Sequence, residues 1–331
     1  MLILAATLLE TGLAISLSSD RPRPITTAQM TDHVAYRHIA LRVRARESYY
    51  EAASRELRFH HFPTRSVFNW RTPLYAWSLG ALPAPEVAWP LLVAISLTSG
   101  LMAALLMVRD FPRPARLLAM LSVIVASGWC LHPPIAFYTE VWCGHLIFIS
   151  LCLASRGWLV VGAAIGLLAL FLRELALPYC AIAAAIACAT RRRLEAFVWL
   201  LGLLAYGFYF ARHHREVARL GTVAKLSGDD WIAFGGLKFL LATCRMSFPL
   251  ALAPAWLLAI YLTLSLIGLF GLRGEIGLRT GLVVLTYALA FSIVGQDFNS
   301  YWGWVYTPLL SLGVALSPYG LRNLLTCAFR H

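Results

Sequence analysis

Apolar runs close to 20 residues long recur from Glu86 to the C-terminus. A helix of that length is what crossing ~30 Å of hydrocarbon requires. This repetition constrains the fold more than any other feature. The chain is 60% hydrophobic and only 13% charged, so most of it suits lipid better than water. The pattern predicts an all-α polytopic membrane protein with about ten transmembrane helices. The expected spans are 2–18, 86–108, 116–132, 139–155, 157–172, 175–190, 195–211, 249–271, 280–296 and 304–321. One transmembrane domain over residues 1–331 leaves no room for a separate soluble domain.

A single long polar stretch interrupts this pattern. Asp20 to Arg71 carries ten arginines, five carboxylates and four histidines. A membrane bundle gains little from such a loop unless it binds something or does chemistry. The first segment, Leu2 to Ser18, contains Glu10 and lacks a basic start, which argues for a retained span over a cleaved signal peptide. Glu10 is expected to face the bundle interior.

The net charge of +12 comes almost wholly from arginine. Basic residues without interleaved aromatics in a soluble domain exclude nucleic acid as a partner. Membrane anchoring and an anionic phospholipid or phosphosugar partner remain. Seven cysteines occur without a Cys-x-x-Cys pair, so neither zinc nor a disulfide framework is signalled. The pairs His60-His61 and His213-His214 also lack metal-ligand spacing with an acid nearby.

Orientation follows from the short connections. Arg109, Arg113 and Arg116, then Arg156, then Arg191-Arg192-Arg193, then Arg273 and Arg279 mark alternate turns. The intervening turns, His132 to Glu140 and Asp297 to Gly303, contain no Lys or Arg. The arginine-bearing turns and both termini are therefore assigned to the cytoplasm. Two long loops, 19–74 and 212–248, then fall outside, although they hold sixteen basic residues.

Within the first loop, Met30, Val34, His38 and Leu41 fall at helical spacing over Thr26 to Arg46, predicting an interfacial helix. Ser48-Tyr49-Tyr50-Glu51 reads as a capping box opening a second helix through Arg58. In the second loop an amphipathic run covers Leu237 to Phe248, carrying Lys238 and Arg245, after Asp229-Asp230-Trp231.

With orientation fixed, the ionisable residues Asp32, Glu47, Arg71, Glu140, Arg173, Glu174 and Asp297 share the outer side. Charges at membrane depth mark water-filled cavities or substrate paths, so a polar cavity opening outward is expected. The acids of the cytoplasmic turns, Asp110, Glu195 and Glu275, each lie near an arginine in sequence.

This layout resembles the GT-C superfamily of integral membrane glycosyltransferases. The likeness rests on a first span followed by a large outer loop, and on Thr31-Asp32-His33-Val34-Ala35-Tyr36-Arg37-His38-Ile39-Ala40 within it. It rests also on Ser48-Tyr49-Tyr50-Glu51-Ala52-Ala53, Val67-Phe68-Asn69-Trp70-Arg71-Thr72-Pro73, Glu140 and the Arg173-Glu174 pair. Members of bacterial cell-surface glycopolymer formation are the most similar in kind. The resemblance implies sugar transfer from a polyprenyl-phosphate-linked donor to a glycan, lipid or protein acceptor, at the outer face of the bacterial inner membrane. It implies Asp32 as catalytic base, with Arg71 and Arg173 on the phosphate and Lys238 and Arg245 in reserve. Glu140, Glu174, Asp297 and Glu47 would bind sugar hydroxyls or hold the arginines. Tyr49, Tyr50, Trp70 and Tyr301 would stack on a sugar or flank the lipid. No cofactor or metal ligand is assigned, and a divalent metal stays open: members often pair two acids in this loop, whereas Asp32 here is followed by His33. A lipid or glycolipid transporter or flippase, a polysaccharide polymerase or ligase of another fold, and a non-enzymatic assembly subunit remain alternatives.

Overall fold

The computed structural model describes residues 27–62, 64, 66–220, 234–272 and 274–328. The expected span at 2–18, Glu10, Asp229-Asp230-Trp231 and the side chain of Asp297 lie outside what is described. Among the described residues every regular element is helical. The α-helices are α1 (Thr27–Arg44), α2 (Tyr49–Phe59), α3 (Pro73–Ala81), α4 (Ala88–Met102), α5 (Arg113–Ala126), α6 (Thr139–Ala154) and α7 (Leu159–Leu172). They continue as α8 (Leu177–Ala189), α9 (Arg193–Arg219), α10 (Gly236–Cys244), α11 (Ala255–Phe270), α12 (Glu275–Ile293) and α13 (Thr307–Ala328).

Among the described residues, three helical stretches are long and apolar enough to cross a membrane: Pro85–Met107, Arg193–Arg219 and Glu275–Ile293. Thr139–Ala154, Leu159–Leu172, Glu174–Ala189 and Ala255–Phe270 are apolar but shorter. The 16 residues of α6 reach only about 24 Å at 1.5 Å per residue. Short 3₁₀ turns take up the ends of several apolar runs, as at Gly128–Leu131, Pro133–Phe137 and Glu174–Ala176. The first two contain a glycine or prolines that interrupt the α-helical ladder, and Pro178 follows the third within the first turn of α8.

Bulky apolar side chains line the outside of the bundle. On α9, Phe197, Leu200, Leu201, Leu204 and Phe208 are each more than half exposed. Leu97, Leu101 and Leu105 around α4, and Leu117, Leu118, Leu121 and Val125 on α5, form similar strips. Apolar surface this extensive marks contact with lipid or protein. Inside, α11 and α13 approach closely through small residues. A Cβ at Gly268 would stand 1.8 Å from the Gly313 carbonyl oxygen, and one at Gly313 would stand 2.3 Å from that of Ser265. Contacts of this kind let helices pack where burial of apolar area supplies no force between them.

Three local expectations are corrected. The turn before α2 has no capping box: Ser48 is the N-cap residue, but its side chain makes no capping hydrogen bond. A Schellman closure of α1 fixes this turn instead, with Glu47 N–H donating to Arg42 O (3.0 Å) and Arg46 N–H to Val43 O (2.9 Å). Among the side chains of α1 from Asp32 onward the most buried are Ala35, Ile39 and Ala40, one step round from the expected Met30–Val34–His38–Leu41 stripe, because α1 packs against both α2 and α3. Finally, α9 runs on to Arg219, so the helix continues past the expected end of its span at 211.

Ion pairs show which helix ends lie together. At one end Arg192 pairs with Glu275 (2.7 Å) and Arg279 with Glu195 (2.7 Å), joining the starts of α9 and α12. Asp110 and Arg156 pair at 3.6 Å. The starts of α6, α8 and α13 and the ends of α7 and α12 belong to the opposite end, which carries the candidate site.

Candidate functional site

Arg71 follows the 3₁₀ turn Val67–Asn69 and precedes Thr72-Pro73, where Pro73 opens α3. Proline is pre-set for the first helical turn and forces the residue before it to be extended. The Arg71 carbonyl accepts from the Tyr49 hydroxyl, which locks the backbone and turns the guanidinium inward. There its Nη1 donates to Glu140 Oε1 at 2.6 Å, its Nε to the Tyr36 hydroxyl at 2.9 Å and its Nη2 to the Tyr301 hydroxyl at 3.2 Å. The guanidinium also lies over the Tyr36 ring, 5.1 Å from its centroid.

Glu140 stands in the first turn of α6 and is completely buried. The same oxygen that binds Arg71 lies 3.1 Å from Arg173 Nε, and Thr139 Oγ1 donates to the other oxygen at 3.3 Å. Arg173 caps the C-terminal end of α7, also buried, and its Nη1 is 2.9 Å from Glu174 Oε1. Both Arg173 contacts are ion pairs at short range that lack hydrogen-bond alignment. Two guanidiniums thus converge on one buried carboxylate, each with donor capacity left over.

Asp32 is half-buried on α1, one turn before Tyr36. Burial raises its carboxyl to about 6; nearby Arg71 opposes the rise and Glu140 reinforces it. Near neutral pH it is a carboxylate with the proton affinity a general base needs. Burial works against the Arg71 cation, yet Glu140 and the surrounding tyrosines hold it well above the usual range. The phenols of Tyr36 and Tyr301 are pushed up by burial, so they stay neutral hydrogen-bonding groups.

The structure therefore brings Asp32, Arg71, Glu140, Arg173, Glu174, Tyr49 and Tyr301 to one place. Other expected residues lie apart. Glu47 pairs with Arg42 and Arg55, both at 3.3 Å. Tyr50 meets His213 at 3.3 Å. The Trp70 ring is buried, with its Nε1 donating to the Thr64 carbonyl at 3.1 Å. Arg245 donates to the Ala253 carbonyl at 3.3 Å. Tyr36 is a member that motif reading passes over; its spacing of four from Asp32, which puts both on one helical face, is the signal that points to it.

The cluster is tightly closed. A cavity of about 20 Å³ adjoins it, lined by Tyr36, Tyr49, Arg71, Thr72, Tyr75 and Thr139 among others. That is room for about one water, not the open polar cavity the sequence predicts, because the phenols of Tyr36 and Tyr301 fill the space around Arg71. A larger concavity of about 730 Å³ lies elsewhere, at Arg212, His214, Arg215, Glu216, Ala218 and Arg219. It is a broad solvent-facing saddle at the end of α9, without convergent buried groups.

No protein-family model matches the chain, and no curated protein or solved structure is detectably similar to it.

Proposed function

We propose that the protein is a membrane glycosyltransferase that takes a sugar from a polyprenyl-phosphate-linked donor at the Asp32–Arg71–Glu140–Arg173 cluster. The observation that carries this reading is the pair of buried guanidiniums sharing Glu140 beside a carboxylate raised to about 6. An acceptor hydroxyl attacks C1 of the sugar, Asp32 takes its proton, and the C1–O bond to phosphate breaks. The departing polyprenyl phosphate carries new negative charge, which Arg71 and Arg173 stabilise. Tyr36 and Tyr301 are the hydrogen-bond partners that an incoming phosphate displaces, so donor entry requires α1 to part from the bundle. Glu174 and Asp297 bind sugar hydroxyls, and Tyr49 holds the Arg71 backbone in place.

In this reading about ten spans cross the inner membrane, with α1, α2 and the cluster on the outer face. The apolar girdle and the separation of the two polar ends support it. A cysteine placed at Ser54 should then react with an impermeant thiol reagent from outside, and one at Pro112 should not. The measurement belongs in a Cys188→Ala background, since Cys188 is exposed. The reverse labelling pattern overturns the orientation.

Arg71→Lys keeps the charge and loses the planar fork that serves Glu140, Tyr36 and Tyr301 together. The expected result is normal insertion with sugar transfer reduced by about 10²-fold or more, the scale of losing one transition-state donor. Near-normal transfer by this variant removes Arg71 from the site.

A further inference from the structure

We propose that His38, Glu56 and His60 bind one divalent transition-metal ion of the zinc class, fastening α1 to α2. Glu56 and His60 are one turn apart on α2, a spacing that places both side chains on one face. His38 reaches them from α1. Its Nδ1 is 3.3 Å from Glu56 Oε2, and His60 Nε2 is 3.7 Å from the same oxygen. All three ligand atoms lie within 4.8 Å of one another. Tetrahedral zinc with bonds of about 2.0–2.2 Å sets its ligand atoms roughly 3.3 Å apart, so closure onto a metal narrows the widest pair by about 1.5 Å at most.

A plain ion-pair account leaves one group unexplained. His60 Nε2 is buried and has no hydrogen-bond partner among the described residues, a costly state for a polar atom. A metal ion satisfies it. The other Glu56 oxygen already accepts from Arg42 Nε at 2.5 Å, the kind of outer partner that orients a ligating carboxylate. The Arg42 charge opposes a cation, and Glu47, 3.3 Å from Arg42, offsets it. Two imidazoles and one carboxylate suit Zn²⁺, Co²⁺ or Ni²⁺, and not Mg²⁺ or Ca²⁺, which take oxygen ligands. Three protein ligands leave a fourth position for water.

The site lies on a different face of α1 from Asp32 and Tyr36, which are six and two residues from His38 at 100° per residue. It does not depend on the proposed transfer chemistry. Its role is positional: it fixes the hairpin whose first helix carries Asp32.

The test is Zn²⁺ titration of the purified full chain in detergent, with Co²⁺ absorption as a reporter of four-coordinate geometry. One Zn²⁺ per chain is expected, undisturbed by excess Mg²⁺, together with a rise in unfolding temperature. His38→Ala and His60→Ala should each weaken binding by at least the ~10–100-fold that losing a partner behind a ligand costs, and each should abolish the thermal shift. The His38 side chain is 41% exposed, so its removal leaves packing intact and keeps the test independent of folding. Absence of saturable Zn²⁺ binding, or unchanged binding in either variant, overturns the proposal.

Discussion

Glu140→Gln is expected to destabilise the protein by about 3–5 kcal/mol, the cost of removing one partner from a buried ion pair. The residue is wholly buried, and its Oε1 is the common counter-charge for Arg71 at 2.6 Å and Arg173 at 3.1 Å. Glutamine retains the shape and an acceptor oxygen but leaves two guanidiniums close together with only Glu174 and the half-buried Asp32 to answer them. The effect is read as a fall in the denaturant midpoint in detergent. It should be far larger than for Glu47→Gln, whose partners Arg42 and Arg55 are 33% and 61% exposed and whose pairing contributes ~0–1 kcal/mol. Equal effects from the two substitutions would show that Glu140 does not organise the cluster.

Asp32→Asn should have the opposite profile: a loss of sugar transfer of ~10²–10⁴-fold, the usual contribution of a general base, with no loss of stability. The direction follows from linkage. Burial raises the Asp32 carboxyl from an ordinary value of 3.8 to about 6, so the folded protein holds that proton more tightly than the unfolded chain does. Ionised Asp32 therefore costs stability, a cost absent below pH ~4, growing between ~4 and ~6, and complete above ~6. Asparagine removes that cost, so the variant should match or exceed the wild type in stability at pH 8 and lose any advantage below pH ~4. Wild-type transfer should rise with pH through about 6, and the residual rate of Asp32→Asn should show no such rise. Full activity in the variant would make Glu47 the next carboxylate to test, despite its separation from Arg71.

Much of the site was legible in the sequence because charges in an apolar chain are scarce. Arg71, Glu140, Arg173 and Glu174 stand out for their cost alone, and the alternation of basic turns assigns them to one end. Helix α1 was legible from spacing, ending within two residues of Arg46. The contacts within the cluster were not legible, since Arg71 and Glu140 are 69 positions apart and Arg71 and Tyr301 230. Aromatic type alone does not separate Tyr301, which meets the guanidinium, from Trp70, which is buried behind it. In sequence His60 stands out only as half of a His-His pair, whereas its partners are Glu56, four residues before it, and His38, which arrives only through the hairpin. The close crossing of α11 and α13 was hidden for a related reason: Gly268 and Gly313 acquire meaning only once the two helices face each other.

The most direct measurement of the central claim is a structure of the protein in lipid with a polyprenyl-phosphate sugar bound. The account predicts α1 displaced from the bundle, phosphate oxygens within hydrogen-bond reach of Arg71 or Arg173, and the sugar C1 facing Asp32. A phosphate seated at Arg212, Arg215 and Arg219 on the end of α9, or no retained donor lipid at all, would contradict it.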